Sequence, residues 1–395
     1  MKAFVVDKYK KKGALRLANV PDPELRDDDV LVRVHASAVN LLDSKLRDGE
    51  FKLILPYRPP FVLGHDVAGT VVRAGFKITR FKVGDEVYAR PRDHRIGTFA
   101  EFIAINETDV ALKPKNISME EAASIPLVGL TAWQALVELG KVKPGQKVFI
   151  QAGSGGVGTF AIQLAKHLGA RVATTTSTRN VELVKSLGAD AVVDYKTQDF
   201  EKVLSGYDLV LNSQDPKTLE KSLRVLKPGG LLISISGPPD PTFAKQHGLN
   251  LFLRLVMYLL SRGVRKKAKS LGVRYSFLFM RAQGQQLNEI TSLIESGAIR
   301  PIVDKVFPFE KTEDALAYVE TGRAKGRSSS EWGMGRPMVR ISLRRVPSTS
   351  SLVVSLRLLE PSSRTIRAAQ YSRSSFTVKS GTRRALNGFC GMLRR

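Results

Sequence analysis

The clearest chemical signal is one run of small residues, Gln151-Ala152-Gly153-Ser154-Gly155-Gly156-Val157-Gly158. Residues 147–151 before it read as a strand, and residues 157–168 after it read as a helix. Glycines at such a junction let backbone N–H groups approach a pyrophosphate at the positive end of a helix. Gly153, Gly155 or Gly156, and Gly158 supply the tight turn, the close approach and the helix–sheet packing, with Ser154 and Val157 between them. A glycine pattern alone is weak evidence, but this one has the required strand and helix on its two sides. An acid about 20 residues further on would hold a ribose 2′-hydroxyl. Here the chain reads Thr174-Thr175-Thr176-Ser177-Thr178-Arg179, which has no acid. Hydroxyls with an arginine suit a 2′-phosphate, so NADP(H) is expected over NAD(H), with Ser177 and Arg179 at that phosphate. The alternative for Arg179 is a solvated cation at a helix start.

These residues need a frame. Residues 147–151, 171–175, 191–194, 208–211 and 231–235 read as short buried strands, with helices at 157–168 and 180–187. That alternation predicts a parallel, doubly wound sheet with right-handed crossovers. Before Pro114 the texture differs. Val30-Leu31-Val32-Arg33-Val34-His35-Ala36, the segment 69–75 and the segment 83–88 predict a small, irregular β-barrel-like domain. Residues 119–123, 131–139, 286–295 and 312–321 read as helices, with a short strand near 302–303. Residues 242–272 break the beat: Leu251-Phe252-Leu253 and Val256-Met257 precede Arg262, Arg265, Lys266, Lys267 and Lys269. This reads either as an interfacial amphipathic helix or as a buried helix, in the core or capping a cleft. The buried reading is preferred, because it is the commoner fate of such a stripe.

The chain has 395 residues, 43% hydrophobic and 25% charged, enough for two domains and a substantial core. Its one cysteine, Cys390, excludes an intramolecular disulfide and a four-cysteine zinc site. The formal charge of +25 is unevenly placed. Residues 327–395 hold 14 Lys+Arg and 2 Asp+Glu, are rich in arginine and serine, and show no sustained period. They read as a disordered basic tail. An arginine-rich arm for nucleic acid is the competing reading. Arg327-Ser328-Ser329-Ser330 can be encoded by AGG-TCG-TCG-TCG, and one restored base gives Lys-Val-Val-Val, a good closing strand. A frameshift near residue 326 is therefore expected, and resequencing tests it. Ala3-Phe4-Val5-Val6 is too short for a secretory signal core, and the apolar run from Leu251 to Leu260 contains Arg254 and is shorter than the ~20 residues of a spanning helix. A cytoplasmic location with no membrane span is expected.

Gly64-His65-Asp66-Val67-Ala68-Gly69, the glycine turn, and Gly129-Leu130-Thr131-Ala132 stand in the order and spacing of one family. Residues 1–326 resemble the medium-chain dehydrogenase/reductase superfamily, and within it the zinc-independent quinone and alkenal/enone oxidoreductases. The resemblance implies an α/β protein with a GroES-like β-rich catalytic domain, residues 1–122 completed by 285–326. It implies a Rossmann NADP-binding domain, a doubly wound parallel sheet over 123–284, and a homodimer. Zinc alcohol dehydrogenases place a cysteine ligand where this chain has Asn40, paired with a histidine and an acid, here His65 and Asp66. Without the thiolate no metal is expected. Hydride transfer to an already electrophilic quinone or enone β-carbon remains feasible without a Lewis acid. By resemblance, Asn40 and Thr131 lie near the nicotinamide and Tyr195 flanks the adenosine end. Gly237 approaches the cofactor, and Phe279 returns to the cleft. Tyr57 is a candidate proton donor or oxyanion partner, its alternative being a packing aromatic near Pro59-Pro60. The competing readings are a zinc-type alcohol dehydrogenase, a nucleic-acid-binding protein using its basic surface, and an inactive dinucleotide-binding module.

Overall fold

The computed structural model describes all residues except Leu53, His247, 323–325, 332–338, 346–351, 359–368, 373–374 and 377–395. The chain begins with β1 (Lys2–Val6), β2 (Arg16–Asn19), β3 (Asp29–Val39), α1 (Leu41–Arg47), β4 (Phe61–Val62), β5 (Val67–Ala74), β6 (Glu86–Ala89), β7 (Phe102–Asn106) and β8 (Val110–Leu112). β3 is the hub, pairing antiparallel with β5 and β7, while β6 and β8 extend the sheet. Its Val30, Val32 and Val34 are buried with Val67, Val71 and Ile103, as the valine pattern requires. Gly69 lets β5 lie against β3, because a Cβ there would stand 2.0 Å from the Arg33 carbonyl oxygen.

α2 (Met119–Ala123) starts on a reciprocal cap, with Glu121 N–H donating to Ser118 Oγ (3.2 Å) and Ser118 N–H donating to the Glu121 carboxylate (2.8 Å). α3 (Pro126–Trp133) begins upstream of the helix expected over 131–139 and continues as a π-helical segment over Gln134–Leu139. Pro126 sets the first turn, and Asp66 accepts the Leu127 N–H from 61 residues away (2.8 Å). No local pattern encodes that cap.

Next come β9 (Lys147–Ile150), α4 (Gly156–His167), β10 (Arg171–Thr176), α5 (Val181–Ser186), β11 (Ala191–Asp194), α6 (Phe200–Val203), β12 (Tyr207–Asn212), α7 (Pro216–Arg224) and β13 (Leu226–Ser234). After them stand α8 (Pro241–Gln246), α9 (Leu251–Ser270) and β14 (Arg274–Phe277). The six strands form one parallel sheet in the order β11-β10-β9-β12-β13-β14. Strand order reverses at β9, so a crevice opens at the carboxyl ends beside it. Both faces are covered. Phe160, Ile162 and Leu164 of α4 pack on one side, and Leu219 and Leu223 of α7 on the other. Burying Val148, Phe149 and Ile150 contributes about 1.5–3 kcal/mol for each side chain.

α10 (Gly284–Glu295), β15 (Val303–Pro308), α11 (Thr312–Glu320) and β16 (Arg327–Glu331) return to the first sheet. β16 pairs parallel with β15 and antiparallel with β3. The Tyr88 hydroxyl donates to the Leu287 carbonyl (2.7 Å), and Ala36, Ala68 and Tyr88 share a core with Leu130, Phe160 and Ile290. The two sheets are thus locked through α3 and α10.

Two expectations shift. α9 is not buried: Met257, Ser261 and Ala268 face the body, but Leu251, Phe252, Leu255, Leu259 and Leu260 are exposed. The expected tail boundary at 326 also moves, because Arg327–Glu331 are strand. The unit Gly333–Arg395, taken by itself, holds β17 (Val339–Arg345), β18 (Leu352–Leu358), β19 (Ala369–Ser372) and β20 (Ser375–Phe376), in one antiparallel sheet. For the rest of 332–395 the expected disorder lies outside the described residues, as does Cys390.

Candidate active site

β9 ends at Ile150, and the glycine turn carries the chain into α4. Ala152 adopts φ +51°, which reverses the backbone at once. Gly153 N–H then donates to the Thr175 carbonyl (2.9 Å) and Ala152 N–H to Thr175 Oγ1 (3.1 Å), tying the turn to β10. A Cβ on Gly153 would stand 2.1 Å from Thr174 Oγ1, and one on Gly158 would stand 2.3 Å from the Ala152 carbonyl oxygen. Those two glycines are fixed by packing. Gly155 differs: its missing Cβ would meet only the Ala152 carbonyl, at 3.3 Å. It caps α4 with no side-chain hydrogen bond. The first N–H groups of α4, at Gly156 and Val157, have no acceptor within the helix, and such a helix start is where an anion is bound. Arg300 lines the small cleft beside Gly156. The donor set fits a dinucleotide pyrophosphate.

β10 leads to the ribose end. Ser154 Oγ accepts from Thr176 Oγ1 (3.0 Å) and from Asn180 Nδ2 (3.2 Å), and Ser177 Oγ also accepts from Asn180 (3.3 Å). Asn180, which sequence reasoning missed, bolts the turn to the β10 exit, and its Oδ1 is buried without a partner. Arg179 is exposed there, and Tyr195, 61% exposed, stands past the end of the neighbouring β11. Asp194 is at that same edge. The Thr178 hydroxyl (2.5 Å) and the Lys196 N–H (3.0 Å) hold its carboxyl below the usual range. That carboxylate is already engaged.

The second constellation lies below the β3–α1 junction. Asn40 caps α1 and is buried, with its backbone N–H on Asp43 Oδ2 (2.7 Å). Its Nδ2 donates to Asp66 Oδ2 (3.1 Å) and to the Ala38 carbonyl (3.2 Å). Both are acceptors, so the amide orientation is fixed by chemistry, and Oδ1 is left without a partner. Asp66 caps α3, and one turn on Thr131 Oγ1 donates to the Leu127 carbonyl (2.6 Å). Asn40, Asp66 and Thr131 are thus joined through one hydrogen-bonded chain. His65 is buried, with Nδ1 on Asp43 Oδ1 (2.5 Å) and Nε2 free of any partner.

This donor set does not fit a catalytic zinc. The position next to His65 offers a neutral amide tied to a carboxylate, where a metal would need a thiolate or a third anionic ligand. No group of three or more His, Cys, Asp or Glu among the described residues could hold a metal ion. The zinc-type alternative lacks its ligands.

Tyr57 belongs to a different contact set. Its hydroxyl accepts the His94 N–H (2.9 Å), its ring stacks on Phe61 at 5.2 Å, and burial pushes its pKa up to about 12. Phe279 packs against Phe243 at 5.6 Å. Gly237 N–H donates to Ser234 Oγ (2.8 Å), and a Cβ there would strike Leu219 and Tyr275 at 2.7 Å. A buried polar network under the strand ends also went unread in the sequence. Asn212 Nδ2 donates to Gln151 Oε1 (2.7 Å), Ser234 Oγ donates to Asn212 Oδ1 (2.7 Å), and Gln151 Nε2 donates to Ser222 Oγ. The only signal for it was polar residues ending otherwise apolar strands.

Comparison with known proteins agrees with this geometry. Residues 26–115 match the family described as alcohol dehydrogenase GroES-like domain, and residues 187–328 match the zinc-binding dehydrogenase family. The 2-methylene-furan-3-one reductase of Solanum lycopersicum is 36% identical over 338 residues, covering 83% of this chain and 78% of that protein. The chloroplastic NADPH-dependent alkenal/one oxidoreductase of Arabidopsis thaliana is 35% identical, with the same coverage of 83% and 78%. The structure of the quinone oxidoreductase from Coxiella burnetii superposes with a TM-score of 0.73 at 29% identity, over 84% of this chain and 99% of that one. With sheet order, glycine turn and relatives in agreement, the chain belongs to the medium-chain dehydrogenase/reductase superfamily, in its zinc-independent quinone and enone reductase branch.

Proposed function

We propose that this protein is an NADPH-dependent reductase of quinones or α,β-unsaturated carbonyls that works without zinc. Asn40 carries the reading: a buried amide fixed by Asp66 fills the place where metal-dependent relatives need a thiolate. The acceptor must therefore be electrophilic on its own. NADPH, when bound, supplies the hydride. The N-terminus of α4 binds the pyrophosphate, and Ser177 and Arg179 bind the 2′-phosphate. Asn40 Nδ2 has spent both its hydrogens inside the protein, so the unpartnered Oδ1 serves as an acceptor that orients the nicotinamide carboxamide. Thr131, on α3, is linked to Asn40 through Leu127 and Asp66 and would lie near the nicotinamide. Gly237, Phe279 and Tyr195 line the route from nicotinamide to adenosine. Hydride adds to the β-carbon of the acceptor, the electron pair moves to the carbonyl oxygen, and water returns a proton to the α-carbon. Tyr57, held neutral by its raised pKa, donates a hydrogen bond to the developing oxyanion.

We assign the catalytic part to residues 1–122 and 285–326 and the nucleotide part to 123–284; β16 adds Arg327–Glu331 to the former. Among the described residues no helix is long and apolar enough to cross a membrane. A cytoplasmic location and a homodimer without a nucleic-acid partner complete the proposal.

A steady-state screen tests it, with NADPH and NADH against quinones, enones, alkenals and simple ketones, with and without a chelator. NADPH oxidation by a quinone or enone, unchanged by chelation, is the expected result. Activity that is confined to simple ketones and disappears with the chelator points to alcohol dehydrogenase chemistry. No oxidation by any acceptor removes the catalytic reading.

A further inference from the structure

α9 is a 20-residue helix that uses only a narrow stripe to hold itself to the protein: Met257, Ser261 and Ala268 are buried, and Val264 packs beside them. The opposite row is Leu251, Leu255, Leu259, Arg262, Lys266 and Lys269. Steps of four, four, three, four and three keep all six on one face of a 3.6-residue helix. All six are exposed, and Phe252 beside them is 71% exposed. The row is apolar in its first half and basic in its second. The helix carries six Lys and Arg, Arg254 and Lys267 among them, and no Asp or Glu. Elsewhere among the described residues large exposed apolar side chains are scattered along the chain, whereas here Leu251, Phe252, Leu255 and Leu259 share one side of a single helix.

We propose that α9 docks the protein on an anionic phospholipid surface. Leu251, Phe252, Leu255 and Leu259 enter the headgroup–acyl boundary, and Arg262, Lys266 and Lys269 bind lipid phosphates. Charge decides the occupant. A row with three cations, on a helix with no carboxylate, is complementary to a sheet of phosphates and repels a like-charged copy of itself. The helix is too polar at one end to span, so it lies along the surface. The proposal stands apart from the hydride-transfer reading, since vesicle binding requires neither nucleotide nor acceptor.

Vesicle flotation of the full chain tests it, using phosphatidylcholine vesicles with and without phosphatidylglycerol. The wild-type chain floats with the anionic vesicles only, and less so as salt rises. Leu251→Ser/Leu255→Ser/Leu259→Ser weakens the apparent affinity by about tenfold or more. Arg262→Gln/Lys266→Gln/Lys269→Gln does the same, at roughly fivefold per charge. The melting temperature stays at the wild-type value, because these side chains are exposed; Phe252→Ser is a milder variant that must move binding the same way. Undiminished flotation of the leucine variant would assign binding to another basic surface and overturn the proposal. So would no flotation of the wild type, or a dimer in sedimentation that this variant dissociates.

Discussion

Arg179 stands exposed where β10 ends, two residues from Ser177, and the carboxylate at that edge, Asp194, is held by Thr178 and Lys196. A charge-assisted contact to a phosphate contributes about 1.5–3 kcal/mol. Arg179→Ala should raise KM for NADPH about tenfold and leave KM for NADH unchanged. Steady-state titration of both cofactors checks this; an unchanged ratio would remove Arg179 from the phosphate. The residue types were readable in the sequence because a 2′-phosphate constrains chemistry within a few residues of one strand. Asn180 was not. Its two hydrogen bonds run to Ser154 and Ser177, and only the folded chain brings those hydroxyls to one amide. The resemblance puts Asn40 near the nicotinamide, but the acceptor role proposed for it follows only from the bonds that its Nδ2 makes to Asp66 and Ala38.

At the scale of elements, β3 depends on an ion pair at its first residue. Asp29 is buried, and Arg95 reaches both carboxylate oxygens (2.7 and 2.6 Å). Burial works to raise the Asp29 pKa, but the hydrogen bonds and charge of Arg95 outweigh it and hold the carboxyl below the usual range. A depressed folded pKa contributes stability that is present above the unfolded value of ~3.9 and is lost as pH falls through the folded one. Asp29→Asn should cost about 3 kcal/mol at neutral pH and flatten the acid slope below about pH 4. Urea unfolding at pH 7 and pH 3 measures both, and parallel acid slopes for wild type and variant would refute the linkage. Periodicity found α2, α4, α10 and α11 to within a few residues. It placed α3 late, because the cap that starts α3 comes from Asp66, in the distant loop before β5.

For the whole molecule, β16 closes the first sheet between β15 and β3. It does so with Arg327-Ser328-Ser329-Ser330-Glu331, and serine has a weak preference for a strand paired on both sides. Ser328→Val/Ser329→Val/Ser330→Val should raise the thermal midpoint by a few degrees, on the order of 1–3 kcal/mol in stability. Scanning calorimetry decides it; a lower or unchanged midpoint would show that this strand is not limiting. Gly326 N–H donates to the Ser154 carbonyl (3.0 Å), so the residue before β16 also touches the glycine turn. A weak closing strand thereby bears on the nucleotide site as well as on the sheet.

Sequence by itself determined what local chemistry dictates. Alternating strands and helices imposed the doubly wound sheet, and the missing cysteine at position 40 excluded a thiolate ligand. Small residues between a strand and a helix marked the phosphate turn, because backbone sterics there tolerate little else. Tertiary structure decided what depends on distant partners: the Asn40–Asp66–Leu127 connection, the cap of α3, and the packing of Tyr57 against Phe61 and His94. It also turned the apolar row of α9 outward. An amphipathic pattern says that one face must be shielded from water, but only the packing of neighbouring elements decides which face the protein itself covers.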